Sequence, residues 1–394
     1  MKIKVDSLML NLLVILNVLN GTIWELLGLI FIGYYLIKEF FNKSNRIKEW
    51  RILAGICLVW VIYMCVQCAV LDLDVTSIIR LYGITKTICM PCIILLCLNS
   101  KAKKKDVLAT IFPSILMMVA FAIMDFLFET SILSFGGLNY IGAMCILISA
   151  YVFKEMPEKY KLLRTLFMAL TFIVVLTSGS RSVILALALA LGYIVLTEQN
   201  PKKRSRYLCM VAIGVLILLF LAATLGLNYD FDTARGGNTV LTNISRALSV
   251  FTSEGRVDQA RDDLSTRALA QYEASSELQK MIGSGDNRVH IGMVPVHNCF
   301  LEVLLCYGIV GLICYIVYLI LLCRIVIKES RDVRYTFLIF LIALIFGMVQ
   351  PFLTTGIVFQ MLIGFVFLTC VNKKNIYEFK TKKILRKRFV RKRR

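Results

Sequence analysis

Histidine is nearly missing from this chain, with two in 394 residues. That scarcity, with no Cys/His group at zinc-finger spacing and no clustered carboxylates, argues against a resident metal. Strict polar–apolar alternation is absent, which excludes a strand-built barrel and leaves helices. Two similar halves, the mark of many transporters, are also absent. The first apolar stretch, after Lys2 and Lys4, has no A-x-A cleavage pattern behind it and reads as a retained anchor. Acidic residues are few, 25 against 45 basic. The one long hydrophilic segment holds no cysteine before Cys299, so no disulfide framework is implied.

Apolar residues fill the space. They make up 58% of the chain, and mean hydropathy is +0.76. They gather in runs such as LCMVAIGVLILLFLAATLGL, long enough to cross a bilayer as helices. Candidate spans fall near 6–19, 23–41, 52–71, 75–98, 107–127, 137–153, 160–177, 181–197, 207–227, 299–325, 335–353 and 355–371. The expected fold is therefore all-α, a polytopic membrane protein of about 12 transmembrane helices. It divides into spans one to nine (1–227), an extracytoplasmic loop with short amphipathic helices (228–298), spans ten to twelve (299–371) and a basic cytoplasmic tail (372–394).

Lysine and arginine orient the bundle, because cytoplasmic loops retain them. With the N-terminus inside, inner segments hold Lys43/Arg46/Lys48/Arg51, Lys101/Lys103/Lys104/Lys105, Lys202/Lys203/Arg204/Arg206 and the tail. Outer segments hold Asp72, Asp74, Asp125 and Glu129 instead. The formal net charge of +20 is thus a topology signal plus a tail facing anionic lipid, not a nucleic-acid interface. Cys89-Met-Pro-Cys92 has redox spacing but falls inside a span, where Pro91 marks a kink.

Polar groups at the outer ends of spans are the candidates for chemistry. In TSGSRSVILALALALGY, Arg181 opens a span; a helix N-terminus and a guanidinium both suit an anion, and Ser180 can donate to it. The same residues also suit a capped helix whose arginine reaches lipid headgroups. Arg80 and Lys86 lie within one span, where a cation needs a bound anion or an internal carboxylate. In the large loop, Arg256 and Arg267 are further cations, and Arg267 precedes an apolar helical pattern expected to press it against the bundle. Gly283 and Gly285 in MIGSGDN suit a sharp turn. His297 can take a proton from a hydroxyl, and Asn298 can cap the span that follows.

Taken together, Gly179-Ser180-Arg181, Arg267, Gly283-Ser284-Gly285, His297-Asn298-Cys299-Phe300-Leu301-Glu302 and Gly308-Ile309-Val310-Gly311 resemble the motifs of the O-antigen ligase and polysaccharide polymerase membrane glycosyltransferases, over residues 140–371. Relatives commonly carry tryptophan after the loop arginine; here Ala268 and Leu269 follow Arg267. The resemblance implies a metal-independent glycosyltransferase without a cofactor. Its donor would be a glycan on undecaprenyl pyrophosphate, and its acceptor a second glycan. His297, Arg181 and Arg267 are then the expected catalytic residues. Arg80, Lys86, Ser180, Arg256 and Asn298 are the expected substrate contacts.

Polymerisation of lipid-linked repeat units into capsular or other cell-surface polysaccharide is the activity expected first. Ligase-type transfer of a finished glycan to a lipid or protein acceptor is the alternative, and a lipid-glycan flippase or transporter is a third. Expected partners are membrane lipids, a chain-length regulator and a flippase. The expected location is a bacterial plasma membrane, with both termini cytoplasmic.

Overall fold

The computed structural model describes residues 48–99, 181–226, 259–286, 288–289, 294–329 and 333–349, with isolated helical positions at 27, 124 and between 142 and 175. Six of the expected spans fall on described helices. These are α1 (Lys48–Val70), α2 (Val75–Asn99), α3 (Arg181–Thr197), α4 (Pro201–Gly226), α7 (Cys299–Glu329) and α8 (Val333–Val349). Between α4 and α7 stand α5 (Gln259–Ala274), α6 (Glu277–Ile282) and the two-residue strands β1 (Arg288–Val289) and β2 (Val294–Pro295). Among the described residues the structure is all-α apart from this pair. The spans expected near 6–19, 23–41, 107–127 and 355–371 lie outside the described residues, apart from isolated positions, and so does the basic tail.

Among the described residues, Cys299–Lys328 is long and apolar enough to cross a membrane; Ala54–Val70, Ser182–Thr197 and Val333–Met348 are shorter apolar helices. Backbone hydrogen bonding explains why apolar runs become helices, since a helix satisfies every N–H and C=O within its own segment. Bulky side chains remain exposed along these helices: Val59, Ile62, Val66 and Val70 on α1, and Ile313, Ile316, Val317 and Ile320 on α7. Such faces suit lipid. Pro91 lies inside α2, which continues through it, and Cys89 is a buried free thiol.

α7 is the centre of the packing and touches α1, α5, α6 and α8. Tyr307 is the hub on its α1/α2 side. Its ring meets Trp60 at 5.3 Å edge-on and Tyr63 at 6.1 Å, while its hydroxyl donates to the Leu81 carbonyl at 2.9 Å and lies 2.6 Å from Thr85 Oγ1. Both ends of that hydroxyl are thereby satisfied in a fully buried site.

The direction of the helices follows from two contacts. The Tyr193 ring near the end of α3 lies 5.5 Å from the Tyr335 ring near the start of α8. α8 follows α7 after a three-residue connection and packs on it, so these two are antiparallel. α3 therefore runs parallel to α7, whose start lies at one end of the bundle.

Short polar devices close the helix ends at that face. Asp72 leaves α1 with φ 46°, a conformation that aspartate tolerates better than most residues. Asp74 then caps α2, its Oδ1 accepting from Ser77 N at 3.1 Å. These hydrogen bonds to Ser77 hold the Asp74 carboxyl below the ordinary aspartate value. Ser276 and Gln279 form a reciprocal capping box that starts α6 immediately after α5.

Candidate functional site

His297 stands between two anchored neighbours. Before it, β2 pairs antiparallel with β1, Val289 opposite Val294, and Val296 is fully buried. Val296 packs with Ala268 and Leu305, and Leu264, Tyr272 and Leu301 close around that cluster. After it, Asn298 caps α7: Oδ1 accepts from Phe300 N at 2.9 Å and from Leu301 N at 3.3 Å. The expected cap is therefore present, and it commits the Asn298 side-chain oxygen to the backbone. His297 is half-buried, with Nδ1 shielded from solvent. The backbone of His297 is thus held on both sides.

One turn further on, Glu302 is fully buried in the first turn of α7. A carboxylate near a helix N-terminus is favoured by the free N–H groups there. Its backbone N donates to the Asn298 carbonyl at 2.9 Å, so His297, Asn298 and Glu302 belong to one turn. The sequence analysis used Glu302 only as part of a motif. The missed signal is its place in an apolar helix, where an ionisable side chain is costly and so usually has a function.

The two glycine motifs meet. α7 is broken at Gly308, with φ 65° and ψ −168°, and α6 ends at Gly283, with φ 85° and ψ 170°. Only glycine populates that backbone region readily. The break leaves α7 carbonyls without helical partners, and the Gly283–Gly285 loop supplies donors. Ser284 N donates to Leu305 O at 2.8 Å, Ser284 Oγ to the same oxygen at 3.1 Å, and Gly285 N to Cys306 O at 3.1 Å. α1 completes the set. Gln67 Nε2 reaches Cys306 O at 2.5 Å and Ile282 O at 2.8 Å, and the Tyr63 hydroxyl donates to Tyr307 O at 2.8 Å. Each such carbonyl left unpaired would cost about 1–3 kcal/mol. The turn read from MIGSGDN is thus more than a turn: it is the plug of a broken helix. Gln67 and Tyr63 were missed, although a glutamine inside the run VIYMCVQCAV was the available signal.

The candidate cations are distributed unevenly. Arg181 is the first residue of α3, as expected. Lys86 is buried, its ammonium 5.5 Å from the centre of the Tyr82 ring. It follows Thr85, whose hydroxyl meets Tyr307, so it sits at the depth of the α7 hub. Arg80 precedes Leu81 on α2, near the same level. Arg267 departs from expectation. It is exposed and paired with Asp263 at 2.6 Å one helical turn away. Ala268, 1% exposed, presses against α7 instead, because its small side chain lets α5 approach Val296 and Leu305 closely. Ser180 and Arg256 lie outside the described residues.

Among the described residues, no group of three or more His, Cys, Asp or Glu could hold a metal ion. The segment that carries α3, α5, the glycine plug, the His297 turn and the Gly308 break is also the segment with a family signature. Residues 166–316 match the Wzy_C family model, O-antigen ligase. No curated protein matches the chain. The matched domain ends just past Gly311 and is narrower than the 140–371 resemblance read from the motifs. Over residues 166–316 the chain is similar to the O-antigen ligase family, and the apolar helices beside them fit a membrane protein.

Proposed function

We propose that this protein transfers a glycan from a polyprenyl-pyrophosphate donor to an acceptor hydroxyl at the outer face of a bacterial plasma membrane. Similarity to the O-antigen ligase family favours ligase-type transfer to a lipid or protein acceptor over the repeat-unit polymerisation expected first from the sequence. The observation that carries the reading is the braced His297–Asn298 turn at the start of α7, inside the matched segment.

The chemistry needs few groups. The acceptor oxygen attacks the anomeric carbon, and the bond from that carbon to the pyrophosphate oxygen breaks. The leaving pyrophosphate keeps the electron pair, and His297 takes the hydroxyl proton. Stabilising the departing charge is the main demand, which guanidinium and ammonium groups meet without a metal. Arg181 is assigned to the pyrophosphate with Ser180. Arg80, Lys86 and Arg256 are supporting anion contacts, and Asn298 orients His297. Arg267 can serve only after releasing Asp263, an exchange that costs little for an exposed pair.

Purified protein in proteoliposomes with one defined lipid-linked glycan tests this directly. Transfer that is abolished in His297→Ala and Arg181→Ala, with normal insertion and melting, is the expected result; wild-type transfer by His297→Ala refutes the mechanism. A single glycan on a non-glycan acceptor marks the ligase, and a ladder of repeats marks the polymerase.

A further inference from the structure

We infer that α6 is a foot seated in the bilayer boundary at the His297 end, with Leu278 and Met281 turned to lipid acyl chains. The inference rests on α7 crossing the membrane and is independent of the proposed glycan transfer.

Depth comes first. α7 has 31 residues, about 46 Å of helix, whereas a hydrocarbon core of about 30 Å needs about 20. The break at Gly308 leaves about 20 residues, Ile309–Lys328, for the crossing, with Ile313, Ile316, Val317 and Ile320 exposed along it. The turns from Cys299 to Tyr307 then rise out of the hydrocarbon.

α1 marks the same level independently. Its apolar run ends at Val70, and one turn earlier Gln67 grips both Cys306 O and Ile282 O. Val66 and Val70, which flank Gln67 on α1, are each 53% exposed. The following turn agrees, because a side chain on Gly285 would meet the Leu73 side chain at 2.8 Å. The last residues of α6 are therefore bound at the height where the apolar face of α1 stops.

The surface of α6 has the pattern that lipid selects. Its two exposed apolar side chains, Leu278 and Met281, are each 50% exposed. They are spaced three apart, which puts them on one face. Gln279 and Lys280, the polar residues between them, are half-buried, as is Ile282, while Glu277 at the helix start is exposed. Water would favour the reverse arrangement. Lys280 bonds Glu277 Oε1 at 2.8 Å, and this partner raises the Lys280 pKa while offsetting its charge beside the boundary.

The foot has a consequence for the site. Gly283 and Gly308 weld α6 to α7, so lipid contact at α6 sets the height of the His297 turn above the bilayer.

The test uses the full chain in nanodiscs made with lipid brominated in its acyl chains. Met281→Trp and Leu278→Trp are compared with Val66→Trp, a lipid-facing reference, and Glu273→Trp, a water-facing one, after subtraction of the three native tryptophans. The added emission of Met281→Trp and Leu278→Trp should be quenched by brominated lipid as strongly as that of Val66→Trp. Quenching no greater than for Glu273→Trp overturns the inference. So does an added tryptophan shielded from both brominated lipid and aqueous iodide, which marks a protein partner or a second copy. Hydroxyl-radical labelling of the wild-type chain in nanodiscs needs no substitution. Met281 should be modified as slowly as buried Met90, and fast modification overturns the proposal.

Discussion

Replacing Gly308 by alanine puts the broken-helix architecture under direct strain. An added Cβ would lie 2.4 Å from the Met281 carbonyl oxygen and 2.6 Å from Gly283 N. Both are backbone atoms, held by the hydrogen bonds from Ser284, Gly285 and Gln67, so neither can swing aside. The new residue must also adopt φ 65° and ψ −168°, which costs about 1–3 kcal/mol for a non-glycine side chain. Overpacking adds about 1–3 kcal/mol. The sum, about 2–6 kcal/mol, is the difference between an intact plug and one expelled from the break. Expulsion would expose the Leu305, Cys306 and Tyr307 carbonyls and release α6. Thermal unfolding in detergent, followed by amide exchange across 277–286, reads both effects. Gly192→Ala is the control, since a Cβ there meets nothing within 4 Å. Gly308→Ala should melt well below wild type with faster exchange in α6, while Gly192→Ala melts at or above wild type. Equal melting of Gly308→Ala and wild type would refute the account of the break.

Three further outcomes are expected. Tyr307→Phe removes the hydroxyl shared by Leu81 O and Thr85 and should cost about 1–3 kcal/mol in chemical denaturation, leaving the trafficking of the chain unchanged. Arg267→Gln should change stability by less than about 0.5 kcal/mol, because its pair with Asp263 is solvent-exposed; a loss of transfer without a loss of stability would place Arg267 at the donor. Asp74 titrates below its ordinary value when folded, so its cap contributes fully above the unfolded aspartate value and is lost as pH falls through the folded one. Stability of the α1–α2 turn, read by amide exchange at Thr76 and Ser77, should fall with acidification in the wild type and stay flat in Asp74→Asn.

Much of this protein was written in its apolar runs. Six of the expected spans coincide with described helices, because a long apolar segment in lipid has no other way to satisfy its backbone. Asn298 was legible as a cap and Arg181 as a helix start, since both depend on local backbone chemistry alone. What sequence could not reveal is which distant segments close on one another. Gly283 and Gly308 read separately as a turn and a motif, and only packing shows them back to back with Gln67 bridging α1, α6 and α7. The same holds for Arg267 and Ala268. The apolar pattern after Arg267 predicted burial of the arginine, yet the helical phase turns Ala268 inward and leaves Arg267 beside Asp263. Local rules set each element, because they act within one turn of helix. The partners of a broken helix lie some 20 to 240 residues away in the chain, and only the folded bundle brings them within hydrogen-bond reach.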